Sequence, residues 1–160
     1  MNVHGQTLVF RADRHLVAIG LDHVTEVLRP LRVEPLGGLP PFVRGLCMLR
    51  GVPAPVIEVG ILLRRDDGVS AATPSDPNAR RFVGMRTGRQ PAVLAVDEVI
   101  GVRDIPLDLF YDLSSVSGPA AYEAVRGIDD DPLLFLAAAH VVPESVWAVM
   151  ESATGQPVYA

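Results

Sequence analysis

The sequence predicts a mostly β protein built from small β-barrels, with one helix near residue 150. Three observations support this fold class. Short runs of β-branched and aromatic residues follow one another closely, turn-forming Pro, Gly and Asp residues separate them, and one late segment alone has clear helical periodicity. The 160 residues are 49% hydrophobic and 21% charged, a balance typical of a single globular domain rather than a disordered chain.

The first two predicted strands form a hairpin. Residues 7–12 and 15–21 are rich in strand-forming side chains, and the intervening pair Asp13-Arg14 marks the turn. A third strand is predicted over residues 23–28, because Val24 and Glu26 alternate with Val27 on the opposite face, and Pro30 ends it.

The middle of the chain contains a break in composition. Residues 41–45 are expected to form a short helical turn, since proline suits the first position of a helix and glycine its end. An extended segment is expected over residues 53–59. The polar stretch 64–80 then lacks apolar periodicity and predicts a loop. We expect it to separate two approximate halves, residues 7–63 and 81–152, of one domain spanning residues 1–160.

The second half repeats the strand pattern of the first. A hairpin is predicted from residues 81–85 and 91–96, and a further strand follows at 99–105. An apolar strand is expected over 133–142. Residues 143–152 favour a helix, because a proline starts the segment and its apolar positions recur on one side.

Composition and charge exclude several classes of partner. The net charge is −5 and all 14 basic residues are scattered arginines, so no basic patch for a nucleic acid backbone is predicted. The apolar run 132–142 is much shorter than the roughly 20 residues of a membrane-spanning helix, so membrane insertion is not expected. The single cysteine, Cys47, fits a reducing compartment, and we expect a cytoplasmic protein.

No catalytic, metal-binding or cofactor-binding residues are predicted. The histidines lack a second His or Cys at the spacing of a zinc site, and they are His4, His15, His23 and His140. Cys47 has apolar sequence neighbours typical of a small core residue. No serine lies in a nucleophile-elbow pattern, and the sequence therefore predicts a protein that is not an enzyme.

One set of motifs resembles a known family. The matching segments, in chain order, are Val24-Thr25-Glu26-Val27, Pro41-Phe42-Val43, Gly45-Leu46, Leu49-Arg50-Gly51, Pro55-Val56-Ile57-Glu58-Val59 and Ala95-Val96-Asp97 with Val99. Their order and spacing are similar to those of the CheW family, the coupling adaptors of bacterial chemotaxis. The resemblance runs from about residue 8 to residue 147. The chain departs from the family pattern at four positions: Met48 replaces a usual Asn, Glu58 a usual Asp, Val17 a common Tyr, and Gly60 a frequent basic residue.

The resemblance implies a fold, partners and a binding surface. The fold would be two intertwined five-stranded SH3-like barrels packed across a hydrophobic groove. The partners would be the regulatory domain of a CheA-type histidine kinase and the cytoplasmic tip of a methyl-accepting chemoreceptor. We predict a Glu26–Arg50 pair on the functional surface and a positive φ at Gly51. The expected partner-binding residues are Leu21, Val24, Glu26, Val27, Arg50 and Gly51.

Alternatives to this function stay open at the level of the sequence. A CheW-like module could assemble with itself into homo-oligomers, or serve a signalling pathway other than chemotaxis. A less favoured alternative is a small β-barrel enzyme or ligand-binding protein with His15, His23 or Asp97 in the groove. A deep polar pocket would favour this last class, whereas a shallow apolar groove would favour the adaptor.

Overall fold

The computed structural model describes residues 4–13, 15–63, 76–88, 90–106, 122–125, 133–136 and 141–154. Two five-stranded sheets account for most of these residues. The predicted mostly β fold class is therefore confirmed, as is the number of strands in each sheet that the family resemblance implied.

The first sheet, called sheet one, combines early and late strands. Its members are β1 (His4–Ala12), β2 (His15–Gly20), β8 (Glu98–Pro106), β9 (Tyr122–Val125) and β10 (Leu133–Leu136). The strand order is β8-β1-β2-β10-β9. The predicted hairpin of β1 and β2 is present, with antiparallel pairing that runs from the tight turn outwards. The strands β2 and β10 pair in parallel although most of the chain lies between them.

The second sheet, called sheet two, is built from the intervening segment. Its members are β3 (Val24–Leu28), β4 (Val43–Leu49), β5 (Val52–Glu58), β6 (Arg81–Thr87) and β7 (Gln90–Val96). The strand order is β3-β6-β7-β5-β4. Both β4–β5 and β6–β7 are hairpins, and β5 pairs in parallel with β7.

The described residues contain little helix. A 3-10 turn at Leu21–His23 connects sheet one to β3, and a four-residue helix, α1 (Val59–Leu62), follows β5. The predicted terminal helix is present as α2 (Glu144–Thr154). In the part of the chain that the structure describes, no helix is long and apolar enough to cross a membrane.

The boundary between the sheets differs from the break in composition at residues 64–80. The strands on either side of that segment, β5 and β6, both belong to sheet two, while sheet one takes strands from both predicted halves. The physical reason is that backbone pairing joins distant strands, whereas composition reports only local polarity. Residues 64–75 of the predicted loop lie outside the described residues, as do residues 137–140 of the strand predicted over 133–142.

The turn expected over residues 41–45 is shorter than predicted. The backbone N–H of Val43 donates to the carbonyl oxygen of Pro40 at 3.0 Å, so the turn spans residues 40–43 and strand β4 begins at once. The β4 side chains alternate between buried and exposed positions, which is the pattern of a strand with one face in a core. Burial of that face outweighs the local turn preference of the prolines.

Among the residues that the structure describes, the core consists of three apolar clusters. One lies within sheet one and one within sheet two, the latter containing Cys47, Leu49, Ala54, Val56, Phe82, Val93 and Ala95. The largest cluster lies between the two sheets and contains side chains of both, with Val146, Trp147 and Met150 of α2 packed into it. Because one continuous cluster links both sheets, they are expected to unfold together.

Candidate partner-binding site

The site begins at the tip of the β4–β5 hairpin. Leu49 pairs with Val52, so Arg50 and Gly51 are the two central residues of the turn. Their φ angles are 52° and 80°, and positive values at both positions are typical of a type I′ turn, which matches the twist of a hairpin. The positive φ predicted at Gly51 is thus present. Arg50 adopts a backbone conformation that an arginine rarely takes.

Glu26 on β3 holds the side chain of this strained residue. Arg50 Nε donates to Glu26 Oε2 at 2.8 Å, and Arg50 Nη2 donates to the same oxygen at 2.5 Å. The predicted pair is therefore in contact, but both donors bind the same carboxylate oxygen instead of one oxygen each. The hydrogen bond to Glu26 and the negative charge of that carboxylate raise the pKa of Arg50 above its ordinary value.

The two partners of this pair differ in exposure. The Glu26 side chain is 19% exposed, whereas that of Arg50 is 79% exposed. The carboxylate thus lies beneath the guanidinium, which presents its remaining N–H donors outwards. A planar cation fixed in this way can recognise a carboxylate or carbonyl oxygen on another protein.

The contact also shows how sheet two closes on itself. The strands β3 and β4 are at opposite ends of the strand order, yet Glu26 and Arg50 meet. The segment after β3 bridges the gap, because Glu34 N donates to Leu46 O at 2.7 Å and Leu46 N donates to Glu34 O at 2.9 Å. Gly45 allows this approach, since a Cβ there would lie 2.1 Å from the Glu34 carbonyl oxygen.

An open apolar depression lies beside the closing segment. Its volume is about 380 Å³, and it is lined by Leu31, Arg32, Glu34, Leu46, Cys47, Met48 and Pro53. Met48 is 59% exposed and Leu31 37% exposed, which is unusual for large apolar side chains. This depression was not predicted from the sequence, because residues 43–49 were not recognised there as strand β4. The signal that could have identified this strand was the alternation of apolar and other side chains over residues 43–49, directly before a two-residue turn.

The other predicted site residues differ in accessibility. Val27 is 44% exposed. It pairs with Val83 as Val24 pairs with Met85, and both of these partners belong to the cluster between the sheets, whereas Glu26 pairs with Gly84 on the other face. The prediction that Val24 and Glu26 share a face opposite Val27 is therefore wrong, because an extra residue in β3 reverses the alternation. Leu21 and Val24 are partly buried and pack against the cluster between the sheets. Gly51 is exposed at the hairpin tip. The structure therefore brings Glu26, Arg50 and Gly51 together, while Leu21 and Val24 lie nearer the core.

The groups proposed for an enzyme have other surroundings. Asp97 Oδ2 accepts a 2.7 Å hydrogen bond from the backbone N–H of Asp13, and Asp97 N donates to Arg11 O at 2.9 Å. This carboxylate therefore ties the turn after β7 to the turn after β1. His23 lines a different open cavity of about 540 Å³, where its Nε2 lies 3.9 Å from Asp22 Oδ1. His15 is the first residue of β2 and pairs with Ala12 beside the hairpin turn. None of these arrangements is the deep polar pocket that would favour an enzyme.

A second charged cluster lies at the opposite end of β5. Glu58 Oε1 accepts from Arg80 Nη2 at 2.7 Å, and Arg44 Nη1 lies 3.6 Å from Glu58 Oε2. The Glu58 side chain is 15% exposed. This cluster links β5 to the residue preceding β6, so the replacement of a usual Asp by Glu58 retains a carboxylate that holds two strands together.

Comparisons with known proteins agree with this fold. The family model described as "CheW-like domain" matches residues 6–145. Protein FrzA of Myxococcus xanthus is 31% identical over 120 residues, which cover 74% of this chain and 70% of FrzA. The crystal structure of scaffolding protein TtCheW from Thermoanaerobacter tengcongensis superposes with a TM-score of 0.64 at 21% identity, covering 84% of this chain and 89% of that chain.

These matches cover most of the chain and include both sheets. The family model extends from β1 to the start of α2, and the similarity to TtCheW shows the same fold at low sequence identity. The chain therefore belongs to the CheW-like domain family, and it is a non-catalytic adaptor.

Proposed function

We propose that this adaptor couples the cytoplasmic tip of a methyl-accepting chemoreceptor to the regulatory domain of a CheA-type histidine kinase. Residues 1–160 act as one domain in this role, and the protein works in the cytoplasm, where both partner segments lie. Its contribution is to hold kinase and receptor together so that a conformational bias in one reaches the other. The partner-binding residues would be the predicted set, with Arg50 at its centre.

The geometry of Arg50 is the observation that carries the proposal. An asparagine or glycine would suit a positive φ at a hairpin tip better than an arginine does. The chain nevertheless has an arginine there, fixed by a less exposed carboxylate and pointing its free donors outwards. A residue that is unfavourable for the turn and well placed for recognition is typical of a binding site.

The test is co-elution with a kinase regulatory domain and, separately, with a receptor cytoplasmic fragment from the same organism. The variant is Arg50→Asn, because asparagine tolerates the turn conformation but lacks the guanidinium. The matched control is Arg11→Asn, which removes an exposed arginine from sheet one. We expect Arg50→Asn to leave the unfolding temperature unchanged or raised and to weaken kinase binding at least about fivefold, as interface arginines do.

Receptor binding is tested with a second pair of variants. Val27→Ser removes a side chain of the predicted surface, and Val102→Ser removes one of similar size from β8 that is 53% exposed. We expect the first change to weaken receptor binding and the second to leave it intact. If neither partner binds the unaltered protein, the coupling function is wrong, and self-assembly or another signalling pathway gains support.

A further inference from the structure

We propose that Gly84 is the positioning residue of the Glu26–Arg50 pair. Gly84 lies on β6 directly opposite Glu26 in the register of sheet two. The inference rests on the proposed function in one respect, because it assigns Gly84 a role in a surface that we take to be partner-binding. The positioning itself is a property of this chain alone and can be measured without a partner.

The pairing of β3 with β6 is irregular at this point. Val24 pairs with Met85 and Glu26 pairs with Gly84, so Thr25 is an extra residue of β3 that has no pairing partner on β6. Such a β-bulge locally twists the strand and redirects the side chain that follows it. Here the redirected side chain is Glu26, which reaches Arg50 across the closing edge of the sheet.

The space left by Gly84 is already shared by three side chains. A Cβ at position 84 would lie 3.0 Å from Thr25 Oγ1, 3.1 Å from Glu26 Cγ and 3.3 Å from Leu49 Cδ2. All three distances are shorter than an ordinary van der Waals contact. Two of these neighbours are decisive, since Glu26 supplies the carboxylate and Leu49 directly precedes Arg50. The missing side chain therefore sets how closely β3 and the hairpin tip approach each other.

The consequence is that one added methyl group should separate the pair. In Gly84→Ala, the stem of Glu26 and the side chain of Leu49 must both move away from the new Cβ. The hydrogen bonds that join Arg50 Nε and Nη2 to Glu26 Oε2 span 2.8 and 2.5 Å. Displacements of a few tenths of an ångström on both sides add together, and their sum takes the Nε bond beyond the usual range of about 2.7–3.2 Å. Arg50 then keeps its charge but loses its fixed orientation.

The first measurement is the NMR signal of Arg50 Hε in the unbound protein. In the unaltered chain this proton is hydrogen-bonded, so it should exchange slowly and shift when Glu26 is replaced by Gln. We expect Gly84→Ala to move it towards its position in Glu26→Gln. The matched control is Gly37→Ala, because a Cβ at Gly37 meets no atom within 4 Å and should leave the signal unchanged. An unshifted Hε signal in folded Gly84→Ala would overturn the proposal.

The second measurement is a double-mutant cycle in kinase-domain binding. If Gly84 acts through Glu26, then Gly84→Ala, Glu26→Gln and the double variant should all weaken binding equally, within about the twofold tolerance of such cycles. Effects that multiply would instead refute a shared mechanism. Loss of the Hε signal without any loss of binding would retain the positioning role and refute the proposed function of the pair.

A second variant covers the case in which Gly84→Ala does not fold. Adding Leu49→Val removes the Cδ2 atom nearest to one side of the new methyl group and leaves the contacts with Thr25 and Glu26 in place. We expect this double variant to fold and still to show the displaced Hε signal. A normal signal in it would assign the effect to packing of Leu49 and reject the role of Glu26.

Discussion

The way in which sheet two closes predicts a large loss of stability when Gly45 is replaced. This residue has a φ of 146°, and a Cβ built on it would lie 2.1 Å from the carbonyl oxygen of Glu34. That oxygen belongs to the backbone and cannot move aside like a flexible side chain. Gly45→Ala must therefore either distort β4 or push away the segment that joins β3 to β4.

The size of the effect follows from the contacts that would be lost. A non-glycine residue in such a conformation costs about 1–3 kcal/mol. The two backbone hydrogen bonds between Glu34 and Leu46 are worth about 0.5–1.5 kcal/mol each. We therefore expect Gly45→Ala to lower the free energy of unfolding by about 2–6 kcal/mol, a large share of the roughly 5–15 kcal/mol that stabilises a typical domain.

Urea and thermal unfolding followed by circular dichroism would measure this loss. A domain of this size loses about 2–4 °C of unfolding temperature for each kcal/mol. Gly37→Ala serves as the control, because its Cβ would enter open space. A change below about 0.5 kcal/mol, the usual range for an exposed substitution, would refute our account of how the sheet closes. A large loss with the Glu34 and Leu46 amides still protected from hydrogen exchange would assign it to backbone strain alone.

Three further predictions concern residues away from that closure. Asp97→Ala should lower the free energy of unfolding in urea by about 0.5–2 kcal/mol, as the loss of a side-chain hydrogen bond to a helix N-terminus does. Kinase binding should stay unchanged, and a loss of binding would contradict the purely structural role of Asp97. Burial raises the pKa of the Cys47 thiol, so the folded state binds this proton more tightly than the unfolded state. The stability that the protonated thiol contributes should be complete below the ordinary cysteine pKa of about 8.5 and should decline as the pH rises above it. If the free energy of unfolding of Cys47→Ala falls with pH as much as that of the unaltered chain, the Cys47 thiol is not the cause of the decline. We expect the apolar depression that Met48 lines to extend the kinase interface. Met48→Ser, at a side chain 59% exposed, should alter the free energy of unfolding by less than about 0.5 kcal/mol but weaken kinase binding, and unchanged affinity would exclude the depression from the interface.

Local sequence patterns predicted the strands that have a clean alternation or a marked turn. The β1–β2 hairpin, the β6–β7 hairpin and helix α2 were all identified in this way. Strand β4 was missed because Pro41 and Gly45 suggested a helical turn over residues 41–45. The glycine is instead required where Glu34 approaches the strand, a tertiary contact that hydrophobic periodicity does not report.

The division of strands between the sheets could not be predicted from composition. The polar stretch after residue 63 indicated a boundary, but β5 and β6 pair through β7 within one sheet. The parallel pairings β2–β10 and β5–β7 connect strands that no local signal associates. They form because the apolar faces of these strands are buried in shared clusters, which is a property of the assembled chain.

For the site, the family resemblance was more informative than the residue pattern. It predicted that Glu26 and Arg50 would meet, although they are 24 positions apart in the sequence. It did not predict that both guanidinium donors would share one oxygen, or that Leu21 and Val24 would pack against the core. Those details depend on the bulge at Thr25 and on the packing of the two sheets, which motif spacing does not report.

The origin of sheet two in a single uninterrupted segment has a consequence for synthesis on the ribosome. All five of its strands emerge between residues 24 and 96, so this sheet can pair its strands before β8 has been translated. The β1–β2 hairpin is synthesised earlier. Its β1 edge stays unpaired until β8 has been translated, and its β2 edge stays unpaired until β10 has been translated. An unpaired strand edge is a template for pairing with another nascent chain. Early formation of sheet two would reduce this exposure, because the apolar face of the β1–β2 hairpin can then pack against sheet two.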